Sequence, residues 1–206
     1  MEAAGVSRLE QARELSGDRA VRIVEAMRAS VAARGFSGST FEHVAREAGV
    51  SRGLLHYHFG TKERLLVEAV RRECAVRHEL LDRAVVDASS ADEVLAGLVR
   101  TLEDMLQGDG PSSVFMFFEM VTLAQRNQEI AAELSELGRR AREHIATVLR
   151  EKSDAGVLSL RIEPAIAATF LLALADGVLV RRLTEPDLDV SALLSQSVAV
   201  VRTLLG

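Results

Sequence analysis

The sequence contains no tryptophan, one tyrosine, one cysteine and three prolines among 206 residues. Each scarcity removes a class of protein. A lone cysteine, Cys74, cannot build an internal disulfide framework, so the fold must rest on a buried core, and a reducing, cytoplasmic location is expected. Three prolines and eight aromatics (seven Phe, one Tyr) argue against a β-sandwich and against low-complexity disorder. No apolar/polar alternation of convincing length marks a half-buried strand. A Gly-rich phosphate loop, a metal-ligand triad and a nucleophile beside a base are all missing, so neither catalysis nor a cofactor is expected. Glu2, Arg8, Glu10 and Arg13 interrupt any apolar run near the first residue, against a secretory leader. The longest apolar run, 165–180, contains Asp176 and reads as too short to span a bilayer comfortably, so no membrane partner is expected.

What remains is a chain with 48% hydrophobic and 27% charged residues, able to bury a real core. Its net charge of −5 is unevenly distributed. Residues 18–64 hold eight Lys/Arg against five Asp/Glu, a surplus of +3, which leaves −8 on the rest. His43, His56 and His58 lie in the same basic stretch. Such asymmetry is the footprint of a segment that meets an anionic partner.

The spacing of apolar residues predicts an all-α fold of about nine helices. Residues 1–17 read as a flexible, loosely helical arm. Ile23, Met27 and Val31 form the stripe of a helix that begins at Asp18 and ends on Gly35 as a left-handed cap. Ser39-Thr40-Phe41-Glu42 has the pattern of a capping box, Ser39 and Glu42 serving the start of a second helix that runs to about Ala48. Ser51 caps a third helix through Tyr57, and Gly60-Thr61 end it and start a fourth, which reaches about Val86. Further helices are expected from Ser89-Ser90 to the Gly108–Pro111 break, over 112–125 and 128–155, from Pro164 to Pro186, and over 188–205.

The segment from Phe41 to Phe59 supplies the parts of a helix-turn-helix. Ala45 is small where a second helix must come close, and Gly49 takes a turn that a Cβ would resist. Val50 and Leu55 pin the helices together, with Val44 and Phe59 in the same core. Left over on the third helix are Ser51, Arg52, Gly53, Leu54, His56, Tyr57 and His58: hydroxyls, a guanidinium, bare backbone and aromatic tips. These suit phosphates and base edges of double-stranded DNA.

Residues 39–66, Ser-Thr-Phe-Glu-His-Val-Ala-Arg-Glu-Ala-Gly-Val-Ser-Arg-Gly-Leu-Leu-His-Tyr-His-Phe-Gly-Thr-Lys-Glu-Arg-Leu-Leu, resemble the N-terminal domain of the TetR family, and the resemblance extends from about Asp18 to Val70. It implies a homodimeric transcriptional repressor of a palindromic operator, released by a small-molecule effector. Residues 18–66 would be the DNA-binding domain and 67–206 the regulatory and dimerisation domain. It also implies DNA contacts from Thr40, Ser51, Arg52, Gly53, Tyr57 and Lys62, the last in a helical first turn whose free N–H groups favour phosphate. Leu54 and His56 stand where Thr and Tyr are frequent in the family; Leu54 offers contact to a thymine methyl and His56 a donor to phosphate.

A largely apolar effector pocket is expected around one face of the 112–125 helix, Phe115, Phe118, Glu119 and Thr122, with Met105, Met116, Met120, Phe170 and Leu174 around it. Two stripes on the 164–185 helix, Ile166-Phe170-Leu174-Val178 and Leu171-Leu172-Ala175-Leu179, point to a helix buried on both sides. With the amphipathic last helix they predict a four-helix dimer seam through Leu171, Leu179, Leu194, Val198 and Val201. Asp176 is expected to pair with an arginine such as Arg181, or else to line the pocket. Cys74 and His78 share a face but find no third ligand nearby, so no metal is expected. A DNA-binding regulator without an effector is the first alternative and a helical enzyme the second.

Overall fold

The computed structural model describes residues 17–106, 110–185 and 187–205. Among them are nine helices and no strand: α1 (Gly17–Gly38), α2 (Phe41–Ala48), α3 (Arg52–Phe59), α4 (Lys62–Val85), α5 (Ala91–Leu106), α6 (Gly110–Ala124), α7 (Gln128–Asp154), α8 (Pro164–Thr184) and α9 (Val190–Leu205). The arm expected over 1–17, apart from Gly17, the break around Gly108 and the stop at Pro186 lie outside the described residues.

Most boundaries follow from local chemistry. Ser90 Oγ accepts from the Glu93 N–H while the Glu93 carboxylate reaches back to the Ser89 N–H at 2.7 Å, so each end of the first turn of α5 satisfies the other. Pro164 occupies the first turn of α8, where its missing N–H costs nothing.

Two boundaries differ from the expected ones. Gly35 does adopt positive φ (67°), but with ψ at 169° it breaks α1 without ending it, and one more turn runs to Gly38. The capping-box reading is also displaced by one residue. The N-cap of α2 is Thr40, whose Oγ1 accepts from the His43 N–H at 3.3 Å. Ser39 is wholly buried: its hydroxyl donates to Gly35 O at 2.9 Å and accepts from Ser30 Oγ at 2.9 Å. A buried hydroxyl needs partners wherever it finds them, and the carbonyl freed by the Gly35 break supplies one.

The chain divides into two compact units. The first comprises residues up to Glu73 together with Ser112–Leu134. In it α1 packs on α2 and α2 on α3, and Ile23, Met27, Val44, Leu55, Leu65, Leu66, Met116 and Met120 are fully buried. Each such side chain contributes roughly 1.5–3 kcal/mol of burial, which lets eight-residue helices, too short to persist alone, hold their shape. Arg64 and Arg71 on α4 pair with Glu129 and Glu133 of α7 within this unit.

The second unit holds Cys74–Pro111 and Ser135–Gly206. In it α9 packs on α5 and α8, around a core that includes Leu81, Val85, Val94, Leu95, Leu149, Leu158, Ala167, Val201 and Leu205. Gly97 permits the approach of α5 to the end of α4: a Cβ there would stand 2.7 Å from Ala84 O and from a Val85 methyl.

Candidate nucleic-acid interface and effector cavity

The turn between α2 and α3 is built on Gly49, which is left-handed (φ 66°, ψ 37°) and returns its N–H to the carbonyls of Ala45 and Arg46. Val50 N–H follows, bonding Ala45 O at 2.9 Å. Leu55 and Phe59 bury one side of α3, and His56 sets its ring edge-on against Phe41 at 4.6 Å. The opposite side is open. Ser51, Arg52, Gly53, His56 and Tyr57 are exposed, Tyr57 at 68%, and Leu54 and His58 are half-buried. An exposed tyrosine and a glycine with open space around it, on a helix too short to need either, mark a surface shaped for an external partner.

Four of the eight expected contact residues share one cleft, and Ser51, Gly53, Leu54 and Tyr57 do not line it. Thr40, Arg52, His56 and Lys62 line one shallow cleft with Ser39, Phe41, Glu42, Gly60 and Thr61. The first turns of α2 and α4, capped by Thr40 and Thr61, both lie at this cleft, so orphan N–H groups and two cations lie together. Ser51 Oγ accepts from the Leu54 N–H at 3.1 Å, which caps α3 and leaves its O–H to donate outward.

Lys62 has an internal role that the sequence did not reveal. Its ammonium donates to Phe36 O at 2.7 Å and stands 4.2 Å above the Phe36 ring. An ammonium has three protons to donate, so one such bond leaves capacity for a phosphate.

The second unit contains a partly open, strongly apolar cavity of about 190 Å³. Five helices line it: α4 with Cys74, Arg77 and His78, α5 from Leu95 to Met105, α7 with Ala141 and Ile145, α8 from Leu171 to Asp176, and α9 from Leu194 to Val201. The His78 ring is stacked on His144 at 4.3 Å, and His144 Nε2 stands 2.9 Å from Asp82 Oδ1. Burial pushes the His78 pKa below its usual value, the His144 imidazole and the Arg77 charge push it the same way, and Asp82 opposes them. Desolvation at the cavity wall raises the Asp176 carboxyl above its ordinary range, against the pull of Arg77, on a residue that is otherwise exposed.

Of the residues expected at a pocket, Met105 and Leu174 line this cavity; Phe115, Phe118, Glu119, Thr122 and Phe170 do not. Phe115 (47%) and Phe118 (39%) are exposed, as is Thr122, whose hydroxyl bonds Phe118 O at 3.0 Å; Met116 and Met120 form the buried side of α6 instead. A helix apolar almost all round carries no signal of which side turns inward. Glu119 Oε1 accepts the Phe36 N–H at 3.2 Å and so is an internal partner within the first unit. Asp176 resolves the other way: Arg181 pairs with Glu185, and Asp176 lines the cavity.

The residues expected at a dimer seam face inward. Leu179, Leu194 and Val201 are buried within the second unit, and Leu171 and Val198 pack against its core. The stripe Ile166-Phe170-Leu174-Val178 splits, because each step of four residues turns about 40° past a full turn. Three steps carry the stripe from the exposed Ile166 (57%) to the buried Val178 (2%). α8 ends at Thr184, just short of the expected stop. Against the expectation from its 165–180 run, its 21 residues make it the one described helix long and apolar enough to cross a membrane by length and composition. Its buried Ala167, Ala168, Val178 and Leu179 serve the second unit's interior. Among the described residues no group of three metal-ligating side chains comes together.

Two short helices joined by a left-handed glycine, with an exposed polar face on the second, define a helix-turn-helix protein; its other unit encloses an apolar cavity. Residues 23–69 match the family described as "Bacterial regulatory proteins, tetR family", and residues 93–206 match "BetI-type transcriptional repressor, C-terminal". The chain belongs to the TetR family of transcriptional regulators. The HTH-type transcriptional repressor AcnR of Corynebacterium jeikeium is 30% identical over 166 residues, 80% of this chain and 81% of its own. The HTH-type transcriptional regulator BetI of Agrobacterium fabrum is 30% identical over 129 residues, 62% of this chain; the chain spans 61% of BetI's length. A crystal structure of a transcriptional regulator from Saccharomonospora viridis in complex with choline matches with TM-score 0.71 at 25% identity, over 89% of this chain and 95% of that one.

Proposed function

We propose that this protein is a cytoplasmic transcriptional repressor that binds a palindromic DNA operator as a homodimer and leaves it when a small, largely apolar effector enters the cavity of the second unit. The observation that carries the reading is the open face of α3, with Arg52, Gly53 and Tyr57 exposed beside the cleft of Thr40 and Lys62. In this arrangement α3 enters the major groove. Arg52, Leu54 and Tyr57 read base edges, Gly53 lets the backbone approach, and Ser51, Thr40, His56 and Lys62 hold phosphates on either side. Two copies related by a two-fold axis place two such helices about one helical turn apart, ~34–36 Å, or a modest extension of that distance.

The dimer surface in this reading is the outward side of α8 and α9. Ile166, Phe170, Ala173 and Gly177 are exposed at helical spacing on α8, and Ala192, Ala199 and Val200 on α9. Large apolar groups interleaved with small ones suit a packed four-helix seam. The effector acts through its differential affinity for two dimer geometries, typically ~1–3 kcal/mol of coupling. The choline held by the S. viridis protein supports the idea that a member of this fold takes a small ligand.

The experiment is a fluorescence-anisotropy titration of the full chain against the inverted repeats in the DNA flanking its gene, each beside a scrambled duplex of equal length at physiological salt. A specific site is expected to bind at least ~1,000-fold more tightly than the scrambled one. Equal affinity for every inverted repeat and its scramble would overturn the reading.

A further inference from the structure

The effector cavity carries charge in one place only. Among its lining residues the ionisable groups are Arg77, His78 and Asp176, with Cys74 beside them on α4, and everything else is apolar or a hydroxyl. The two hydroxyls are already used: Thr101 donates to Gly97 O at 3.0 Å and Ser197 to Leu193 O at 2.8 Å. His78 lies flat on His144. Among the described residues Arg77 makes no hydrogen bond or ion pair, and neither does Asp176. The two sense each other's charge without touching.

Resting on the effector reading above, we propose that this cavity takes a small aliphatic carboxylate, its head on the Arg77 guanidinium and its chain along Leu98, Leu102, Ile145 and Leu171. Three observations select that class. The first is size: the ~190 Å³ cavity exceeds the ~150 Å³ apolar cavity that admits benzene, so its occupant has on the order of eight non-hydrogen atoms inside, with the open side able to pass more.

The second is the wall. Among the described residues no Phe, Tyr or Trp lines it, and quaternary ammonium groups are recognised by aromatic faces. A flexible chain, in contrast, needs only leucine, isoleucine and methionine surface.

The third is the balance of charge. A guanidinium is always protonated and presents a planar fork that matches a carboxylate with two parallel hydrogen bonds. Asp176 offers a cation less: the residue is exposed to solvent and its carboxylate already faces the Arg77 charge.

Four probes of the full-length protein separate the classes: octanoate, octan-1-ol and octyltrimethylammonium, which share one tail, and choline. Isothermal titration calorimetry gives affinity, and thermal unfolding of each variant without ligand confirms that it is folded. Octanoate is expected to bind most tightly. Arg77→Met should weaken it roughly ten- to hundredfold, the worth of a charged hydrogen-bonded contact; Arg77→Lys should recover part of the loss, and octan-1-ol should be indifferent to both. Asp176→Asn should keep octanoate within a few-fold.

Binding of choline or octyltrimethylammonium that Asp176→Asn abolishes would overturn the proposal in favour of a cation site. Equal binding of all three octyl compounds, unchanged by Arg77→Met, would overturn it in favour of a site that reads only the tail. Silence from all four would overturn it outright. Operator binding by the ligand-free protein is measured separately, so loss of the regulator reading and loss of this assignment give different patterns.

Discussion

Glu119 Oε1 accepts the backbone N–H of Phe36 at 3.2 Å, directly after the point where Gly35 interrupts α1. The break at positive φ takes Phe36 N–H out of the helical ladder, and the carboxylate from α6 replaces the lost carbonyl. Phe36 O is held from the other side by Lys62. Both backbone polar groups of Phe36 thus meet side chains of other helices, its carbonyl also accepting the Ser39 N–H at 3.1 Å, which fixes the entry of the chain into α2.

Glu119→Ala therefore leaves a part-buried N–H without its acceptor and should cost about 1 kcal/mol or more of stability. Glu119→Gln keeps an oxygen at the same reach and should be within a few tenths of wild type. Urea unfolding compares the two. If Ala and Gln unfold at the same midpoint, the hydrogen bond has no stabilising role.

Lys62→Ala should produce two separable effects. Loss of the phosphate contact should lower the slope of log affinity against log salt by about one unit and weaken all duplexes alike. Loss of the bond to Phe36 O and of the contact with the Phe36 ring should also cost about 1 kcal/mol of stability. Anisotropy titrations across salt, run beside urea melts, resolve both. A change in base preference at constant slope would assign Lys62 to the wrong kind of contact.

Features encoded within a few residues were legible in the sequence. The Gly49 turn, the Ser51 and Thr61 caps and the buried Leu55 and Phe59 all follow from neighbours in the chain, and the helix-turn-helix was read from them. What could not be read is which side of an evenly apolar helix turns inward. α6 and α8 have greasy residues on nearly every side, so Phe118 and Leu179 were exchanged between surface and interior. Glu119 and Asp176 show the same limit for polar groups. Each sits in an apolar stretch, and only tertiary structure decides that one meets a peptide N–H and the other a cavity.

Gly53→Ala is expected to separate folding from function. A Cβ on Gly53 would meet only Ser51 Oγ, at 3.9 Å. Alanine is the better helix former by up to ~1 kcal/mol, so the thermal midpoint should hold or rise. In the proposed complex the same methyl stands between the α3 backbone and the DNA, and specific binding should fall at least tenfold. Undiminished operator affinity would remove Gly53 from the interface.

The outward face of α8 gives the test of assembly. Phe170→Glu places a charge on the proposed seam and, by two-fold symmetry, places it twice. It should shift the species seen by light scattering at micromolar concentration from two chains toward one, with the α-helical circular dichroism retained. Val201→Asp, in contrast, puts a charge into a residue that is 4% exposed within the second unit. It should lower the unfolding midpoint before it changes association. A wild-type protein with the mass of a single chain would end the dimer proposal.

His78 makes stability depend on pH in a definite direction. Its ring is stacked on His144 and lies near Arg77, with Asp82 as the opposing charge, and its pKa is held below the usual 6.5, burial being the largest cause. A histidine that binds protons less readily when folded than when unfolded stabilises the native state above the unfolded pKa. As pH falls through about 6.5 the unfolded chain takes up the proton first, so this contribution is lost progressively until the pH passes below the folded value. The thermal midpoint should therefore fall between pH 7.5 and 5.5, and His78→Gln should flatten that part of the curve while leaving the acid limb set by carboxylates. The direction separates this from an ion-pair role, since a histidine held protonated by Asp82 would make the protein more stable on acidification. A midpoint that rises as pH drops toward 5.5 would show that the stacked pair carries its charge in the folded state, and a His78→Gln curve parallel to wild type would show that His78 makes no contribution to the pH dependence.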